Sequence, residues 1–107
     1  MIGEGSTLAL TITGGTIAGN TYYGVYNQGA GKLTIGDNSN AVSTSSPVIS
    51  GGTYGVYSST STDAGFYFYD GIIKGTSYRY NGSILGKPDG YGVSLGTDGD
   101  YKTATLA

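Results

Sequence analysis

The chain has 107 residues, which allows one domain with a modest hydrophobic core. Charged side chains make up 11% and divide into seven acids and five scattered bases, so the composition argues against a nucleic-acid partner, which needs a basic patch. No apolar run approaches the roughly 20 residues of a membrane-spanning helix, and residues 1–5 lack the basic and apolar regions of a secretion signal.

The local patterns predict an all-β chain. The 21 glycines suit tight turns, and the 11 tyrosines suit half-buried, pleated strands. Short runs of alternating apolar residues predict strands with one buried face, at Leu8-x-Leu10-x-Ile12, Tyr23-x-Val25, Leu33-x-Ile35 and Phe66-x-Phe68. Turn signals lie between the runs, at Gly14-Gly15, Gly51-Gly52, Asp70-Gly71, Asn81-Gly82, Asp89-Gly90 and Asp98-Gly99. We expect loops at Gly36–Ser46 and Ser58–Gly65, and no significant helix.

The sequence also repeats itself. Leu10–Gly14 recurs as Leu33–Asp37, which has a later echo in Phe66–Asp70. Ile17–Tyr26 recurs as Ile49–Tyr57, shortened by a single position, and a weaker third copy follows at Ile84–Gly86 and Tyr91–Val93. Recurrence of a motif after roughly 20–45 residues is typical of solenoids, in which each strand lies over its counterpart one coil earlier.

The spacing of individual apolar residues refines this prediction. Val25, Ile49 and Ile73 are evenly spaced along the chain, so we expect them to lie directly above one another. Residues 8–107 are predicted to form a single module, a short right-handed parallel β-helix of about four to five coils, and residues 1–7 to be start or added residues. The Asn-Gly and Asp-Gly pairs favour hairpins and keep an antiparallel sandwich or roll as the alternative.

The two ends of such a column expose unpaired strand edges, which solenoids usually cover with caps. No amphipathic helix or charged cap is visible at either end of the sequence. We therefore expect neighbouring repeats, or further copies of the chain, to cover the edges.

Several segments resemble a tandem repeat of very large, adhesin-like surface proteins of gut-type Gram-positive bacteria. The resemblance rests on residues 33–38, 49–57, 66–75, 90–93 and 98–104. It implies extracellular display on a bacterial cell surface, as a non-catalytic repeat of a fibre or adhesin stalk, with neighbouring repeats of the same protein as partners. It implies no catalytic or ligand-binding residue.

The polar residues favour structural roles over catalysis. Five of the seven acids lie beside turn signals, where a carboxylate usually accepts backbone hydrogen bonds. Asp37 and Asp70 occupy equivalent repeat positions, so a carboxylate ladder that holds a cation is the alternative. Asp70, Lys74 and Arg79 form the one local cluster with the residue types of a polysaccharide lyase. Histidine and cysteine are absent, and we expect no enzyme, metal or cofactor.

The tyrosines provide the candidate ligand-binding residues. Strand alternation predicts that Phe66 and Phe68 face inward while Tyr67 and Tyr69 face outward. Outward rings could bind a glycan or a host surface protein. The candidate residues for this role are Tyr54, Tyr57, Tyr67, Tyr69 and Tyr78. The alternative, which we favour, is that aligned tyrosines stack on one another and stabilise the column.

Overall fold

The computed structural model describes residues 10–27, 32–37, 42–58 and 65–107, which form strands and turns without any helix. The strands lie in three sheets. Within the described residues there is therefore no helix that could cross a membrane. The predicted start residues 1–7, together with Leu8, lie outside this part of the chain.

The first sheet is wholly parallel. Its order is β1 (Leu10–Ile12), β4 (Leu33–Ile35), β7 (Gly65–Phe68) and β10 (Ser83–Gly86). Leu10 lies opposite Leu33, and Ile35 lies opposite Phe68. The equivalences that the repeated motifs predicted for these strands are confirmed.

The second sheet combines parallel strands with an antiparallel hairpin. Its parallel strands are β2 (Thr16–Asn20), β5 (Val48–Gly51) and β8 (Ile72–Gly75). The sheet continues with β12 (Tyr101–Leu106), which pairs antiparallel with β8, and then β11 (Val93–Asp98). Ile17 pairs with Ile49, and Ile49 pairs with Ile73.

The third sheet is parallel and contains β3 (Tyr23–Asn27), β6 (Tyr54–Ser58) and β9 (Tyr78–Asn81). Tyr54 lies opposite both Tyr23 and Tyr78, on its two sides. The chain therefore passes through the first, second and third sheets in that order three times. This mostly parallel order is compatible with a β-helix, and the antiparallel pairs among the described strands are those made by β12.

One predicted alignment is wrong. Val25 does not lie over Ile49, because it belongs to the third sheet and pairs with Val56. The interval between partners is not constant, since it is shorter for Leu10 and Leu33 than for Val25 and Val56. The second passage is longer because the chain runs from Gly36 to Pro47 between β4 and β5, so the assumption of even spacing misassigns Val25.

The core lies between the three sheets and contains equivalent residues from each passage. The buried apolar side chains are Val25, Leu33, Ile35, Ile49, Val56, Phe66, Phe68, Ile73, Ala104 and Leu106. Tyr80 occupies the position after Val56 in the third sheet, and its ring contacts Phe66 edge-on with centroids 5.5 Å apart. Burial of these side chains is the main favourable contribution to folding.

The expectation that neither end carries a cap is wrong for the second sheet at the C-terminal end, whereas β9 and β10 are the outer strands of the other two sheets there. The hairpin of β11 and β12 covers the edge of β8. Its two-residue loop has Gly99 first, with φ of +60°, while Asp100 has no positive φ. This is the pattern of a type II′ turn, which requires glycine at the first central position. The predicted turn signal at Asp98-Gly99 therefore marks a hairpin.

The strands approach each other closely at Gly24 and Gly55, which are opposite each other on β3 and β6. A Cβ atom on Gly24 would lie 2.5 Å from the Gly55 carbonyl oxygen and 2.8 Å from a methyl carbon of Ile49. On Gly55 it would contact Ile73 and lie 2.7 Å from the Lys74 carbonyl oxygen. Glycine is required at both positions because the next passage fills the space.

We expect Gly55→Ala to lower the free energy of unfolding by about 1–3 kcal/mol, because the added methyl group overpacks the contact with Ile73 and the backbone. Gly92→Ala is the matched control, since a Cβ there meets nothing within 4 Å. Urea denaturation, monitored by circular dichroism, measures the free energy of unfolding of both variants. Equal stability of the two would contradict the close approach of β6 to the next passage.

Candidate functional site

The structure divides the five candidate tyrosines into two groups. Tyr54, Tyr57 and Tyr78 lie on the third sheet, where Tyr23 and Tyr26 join them; these five residues are called the tyrosine column. Tyr67 and Tyr69 lie at the first sheet, on and just after β7. The predicted residues therefore belong to two surfaces of the molecule.

The rings of the tyrosine column stack from one strand to the next. Tyr54 and Tyr78 are 4.8 Å apart between ring centroids, at an interplanar angle of 19°. Tyr26 and Tyr57 are 5.2 Å apart at 14°. Within β6, Tyr54 and Tyr57 meet edge to face at 5.1 Å. Aromatic pairs in such geometries contribute about 0.5–1.5 kcal/mol beyond burial, so the column stabilises the third sheet.

Exposure differs along the column. Tyr23, Tyr54 and Tyr57 are half-buried, whereas Tyr78 is 55% exposed. Burial raises the pKa of the Tyr54 hydroxyl, and the neighbouring Tyr78, Tyr57 and Tyr23 raise it further. Tyr78 is the last ring of its stack and is the one most open to a ligand.

The second group lies on the outer side of the first sheet. Phe66 and Phe68 are buried while Tyr67 and Tyr69 are half-buried, so the predicted inward and outward alternation is confirmed. The Tyr67 and Tyr69 rings are 6.2 Å apart, and Lys32 Nζ lies 4.2 Å from the Tyr67 ring centroid. This is a cation–π contact, worth about 0.5–1 kcal/mol at exposed sites.

The polar residues that the sequence grouped into clusters form hydrogen bonds with different partners in the structure. The buried Asp70 carboxylate accepts the backbone N–H of Asp37 at 3.0 Å and of Ser43 at 2.7 Å. It thereby joins two turns, which is the structural role that its position beside glycine favours. Lys74 instead contacts Asp98, at 2.8 Å. The described residues contain no group of three acidic, histidine or cysteine side chains placed to hold a metal.

The Lys74–Asp98 pair attaches β11 to β8. The hydrogen bond from Lys74, and then its positive charge, lower the pKa of the Asp98 carboxyl group. Both side chains are partly or largely exposed, so the contribution to stability is small.

Arg79 attaches the hairpin to the third sheet. It lies opposite Gly55 on β9, at the position where the two earlier passages have Gly24 and Gly55. Its Nε donates to the Thr103 carbonyl oxygen at 2.5 Å, and its Nη2 donates to that of Gly96 at 2.9 Å. The Arg79 side chain thus extends into the space that the next passage fills at Gly24 and Gly55. It forms hydrogen bonds with both strands of the hairpin.

Lys102 completes the same end of the structure. The Tyr22 carbonyl oxygen accepts the backbone N–H groups of Thr53 and Tyr54, at 2.8 and 2.9 Å. One passage later, Thr53 accepts those of Ser77 and Tyr78, at 3.2 and 2.9 Å. The equivalent carbonyl oxygen of Ser77 accepts a hydrogen bond from Lys102 Nζ at 3.1 Å. An ammonium group therefore replaces the backbone donors of a further passage.

Between β9 and the hairpin is a cavity of about 320 Å³, called the end groove. Its lining residues are Ser77, Tyr78, Arg79, Tyr80, Leu95 and Lys102. Leu95 is 60% exposed, and neither of the two basic residues pairs with a described carboxylate. The groove combines an open aromatic ring, an apolar wall and two cations.

The sequence pattern made Tyr78 a candidate but did not predict the end groove. The available signal was the change from Tyr-Gly-Val at residues 23–25 and 54–56 to Tyr-Arg-Tyr at residues 78–80. Loss of an obligatory glycine marks the passage after which no equivalent passage follows. Leu95 and Lys102 belong to the hairpin, which carries none of the repeated motifs beyond the weaker copy at Tyr91–Val93. That copy does not join the third sheet, because Val93 begins β11 in the second sheet.

No protein-family model matches the chain. No curated protein sequence and no solved structure matches it either.

The raised pKa of Tyr54 predicts a loss of stability at alkaline pH. The folded state favours the neutral Tyr54 hydroxyl. The contribution of that hydroxyl to folding stability is therefore fully present below the ordinary pKa of 10.0 and is lost as pH rises through the raised pKa of the folded state. We expect the urea midpoint to fall less between about pH 8 and about pH 11 in Tyr54→Phe than in the wild type. Tyr91→Phe, outside the column, is the control. An identical fall in all three proteins would contradict the shift.

Removal of the Arg79 side chain should loosen the hairpin. We expect Arg79→Ala to lower the free energy of unfolding by about 1.5–3 kcal/mol, the range for hydrogen bonds made by charged groups. The substitution should also accelerate amide hydrogen exchange in β11 and β12. Lys87→Ala, at an exposed position, is the control. Unchanged exchange in the hairpin of Arg79→Ala would show that other contacts hold it in place.

Proposed function

We propose that the chain is a short right-handed parallel β-helix that serves as a non-catalytic structural repeat of an extracellular bacterial surface fibre or adhesin stalk. The observation that carries this proposal is the pairing of like with like across the passages. Leucine and isoleucine pair with their own kind between β1 and β4, and tyrosine, valine and tyrosine do so between β3 and β6. Such ladders suit a rigid, extended element.

The proposal includes end-to-end association through strand edges. Among the described strands, β1, β2 and β3 are each paired on one side only, so one end of the column offers three strand edges. At the other end the outer strand of the second sheet is β11, most of whose residues are exposed. Association at that end would therefore involve β11 together with β9 and β10, the outer strands of the other two sheets.

Electron microscopy tests both parts of this proposal. Immunogold labelling of intact cells of the source organism should place the chain on the surface, at a distance from the wall that fits a stalk. The purified protein at high concentration should form end-to-end rods. Gold confined to the interior of permeabilised cells would contradict the surface role, and particles that remain single at every concentration would contradict end-to-end association.

A second proposed function is binding of a carbohydrate or a host surface protein by the outward tyrosines. The observation that favours it is the 55% exposure of Tyr78 beside the end groove. The other column tyrosines have much of their ring surface covered by one another. End-to-end association through β11 would cover the groove, because Leu95 of β11 lines it. The binding role therefore belongs to a copy whose C-terminal end is not covered by another copy.

A further inference from the structure

We propose that the end groove binds an acidic sugar, a pyranose ring that carries a carboxylate. This proposal rests on the second proposed function and assigns it one ligand class and one location. It is carried by three features of the groove, which are its aromatic face, its cations and its size.

The aromatic face belongs to Tyr78. One side of its ring stacks on Tyr54 at 4.8 Å, and 55% of the residue is exposed. The Tyr23 and Tyr54 rings before it each have a following tyrosine at the same position, whereas β9 is the last strand of its sheet. A flat apolar surface next to a hydroxyl group suits the C–H face of a sugar ring, which is apolar and bordered by hydroxyl groups.

The charge of the groove favours an anion. Arg79 and Lys102 line it, and none of the lining residues is acidic. The guanidinium group of Arg79 has five N–H donors. Its Nε donates to the Thr103 carbonyl oxygen and its Nη2 donates to the Gly96 carbonyl oxygen. The ammonium group of Lys102 has three donors and, among the described residues, makes one hydrogen bond, to Ser77. Both cations therefore retain donors for a carboxylate, and their positions are fixed by the bonds that they already make.

The size and the remaining walls favour a sugar over a larger ligand. The volume of about 320 Å³ is at the lower end of the range of small-molecule sites, which begins at about 300 Å³. Leu95, which is 60% exposed, provides an apolar wall, and Ser77 adds a polar residue at the edge. A neutral sugar would use the Tyr78 ring but give neither cation an anionic partner, so the acidic form should bind more tightly.

The test is an NMR titration of the full chain with galacturonic acid trisaccharide and, separately, with the same trisaccharide after reduction of its carboxylates to alcohols. We expect the acidic form to shift the amide resonances of residues 77–80, 95 and 102, and to bind at least about tenfold more tightly than the reduced form, which corresponds to about 1.4 kcal/mol. Tyr78→Ala and Lys102→Gln should each weaken binding of the acidic form, and Lys102→Gln should narrow the difference between the two sugars.

Tyr22→Ala is the matched control, because Tyr22 is 65% exposed and does not line the groove. It should leave binding unchanged, and thermal melts establish that each variant is folded. Equal affinity for the two sugars would overturn the assignment of an acidic ligand. Shifts confined to Tyr67 and Tyr69 would overturn the location but leave tyrosine-based sugar binding intact. Absence of any shift would overturn the groove proposal, while binding of a host protein by the tyrosines would then require its own assay.

Discussion

The close approach of successive passages beside the third sheet is the constraint on which the rest of the structure depends. At Gly24 and Gly55 the backbone and an isoleucine side chain of the next passage occupy the space of a Cβ atom. This proximity lets Tyr23, Tyr54 and Tyr78 align in register, and it brings Ile49 and Ile73 under the third sheet. Glycine at one repeated position thus links the outer tyrosine column to the inner apolar core.

The same position also determines how the arrangement ends. Arg79 replaces the glycine where β9 has no following parallel strand, and its side chain bonds to the hairpin instead. Lys102 takes the hydrogen-bonding role of a further turn of backbone at Ser77. Two basic residues are thereby fixed beside the last exposed ring of the column. The end groove is a consequence of how this end of the second sheet is covered, and the ligand proposed for it follows from the same residues.

The repeated motifs were sufficient to predict most of the strands and much of the register. Leu10 and Leu33, Ile17 and Ile49, and Tyr23 and Tyr54 all pair as their motifs predict, because identical local sequences meet identical neighbours in successive passages. A constant spacing failed for Val25, since the length of the connection before β5 changes the interval without changing the strands. A constant interval between strand partners does not account for extra residues in the connections between strands.

The hairpin and the groove were harder to predict for a different reason. Beyond Val93, β11 and β12 carry none of the repeated motifs. Their antiparallel pairing is specified by a local turn together with long-range contacts of Lys74, Arg79 and Lys102. The exposed tyrosines were identifiable from strand alternation, but their division into two surfaces depends on which sheet each strand joins. Local sequence patterns carry little information on that choice.

The parallel stacking of the passages is tested most directly by the cross-strand backbone NOEs of β3, β6 and β9, measured by NMR on the isotope-labelled chain. The structure predicts NOEs that connect Val25 with Val56 and Val56 with Tyr80 as parallel neighbours, and Ile49 with Ile73 in the second sheet. Backbone NOEs that instead pair Val25 with Ile49, or that show antiparallel pairing of β3 with β6, would contradict it.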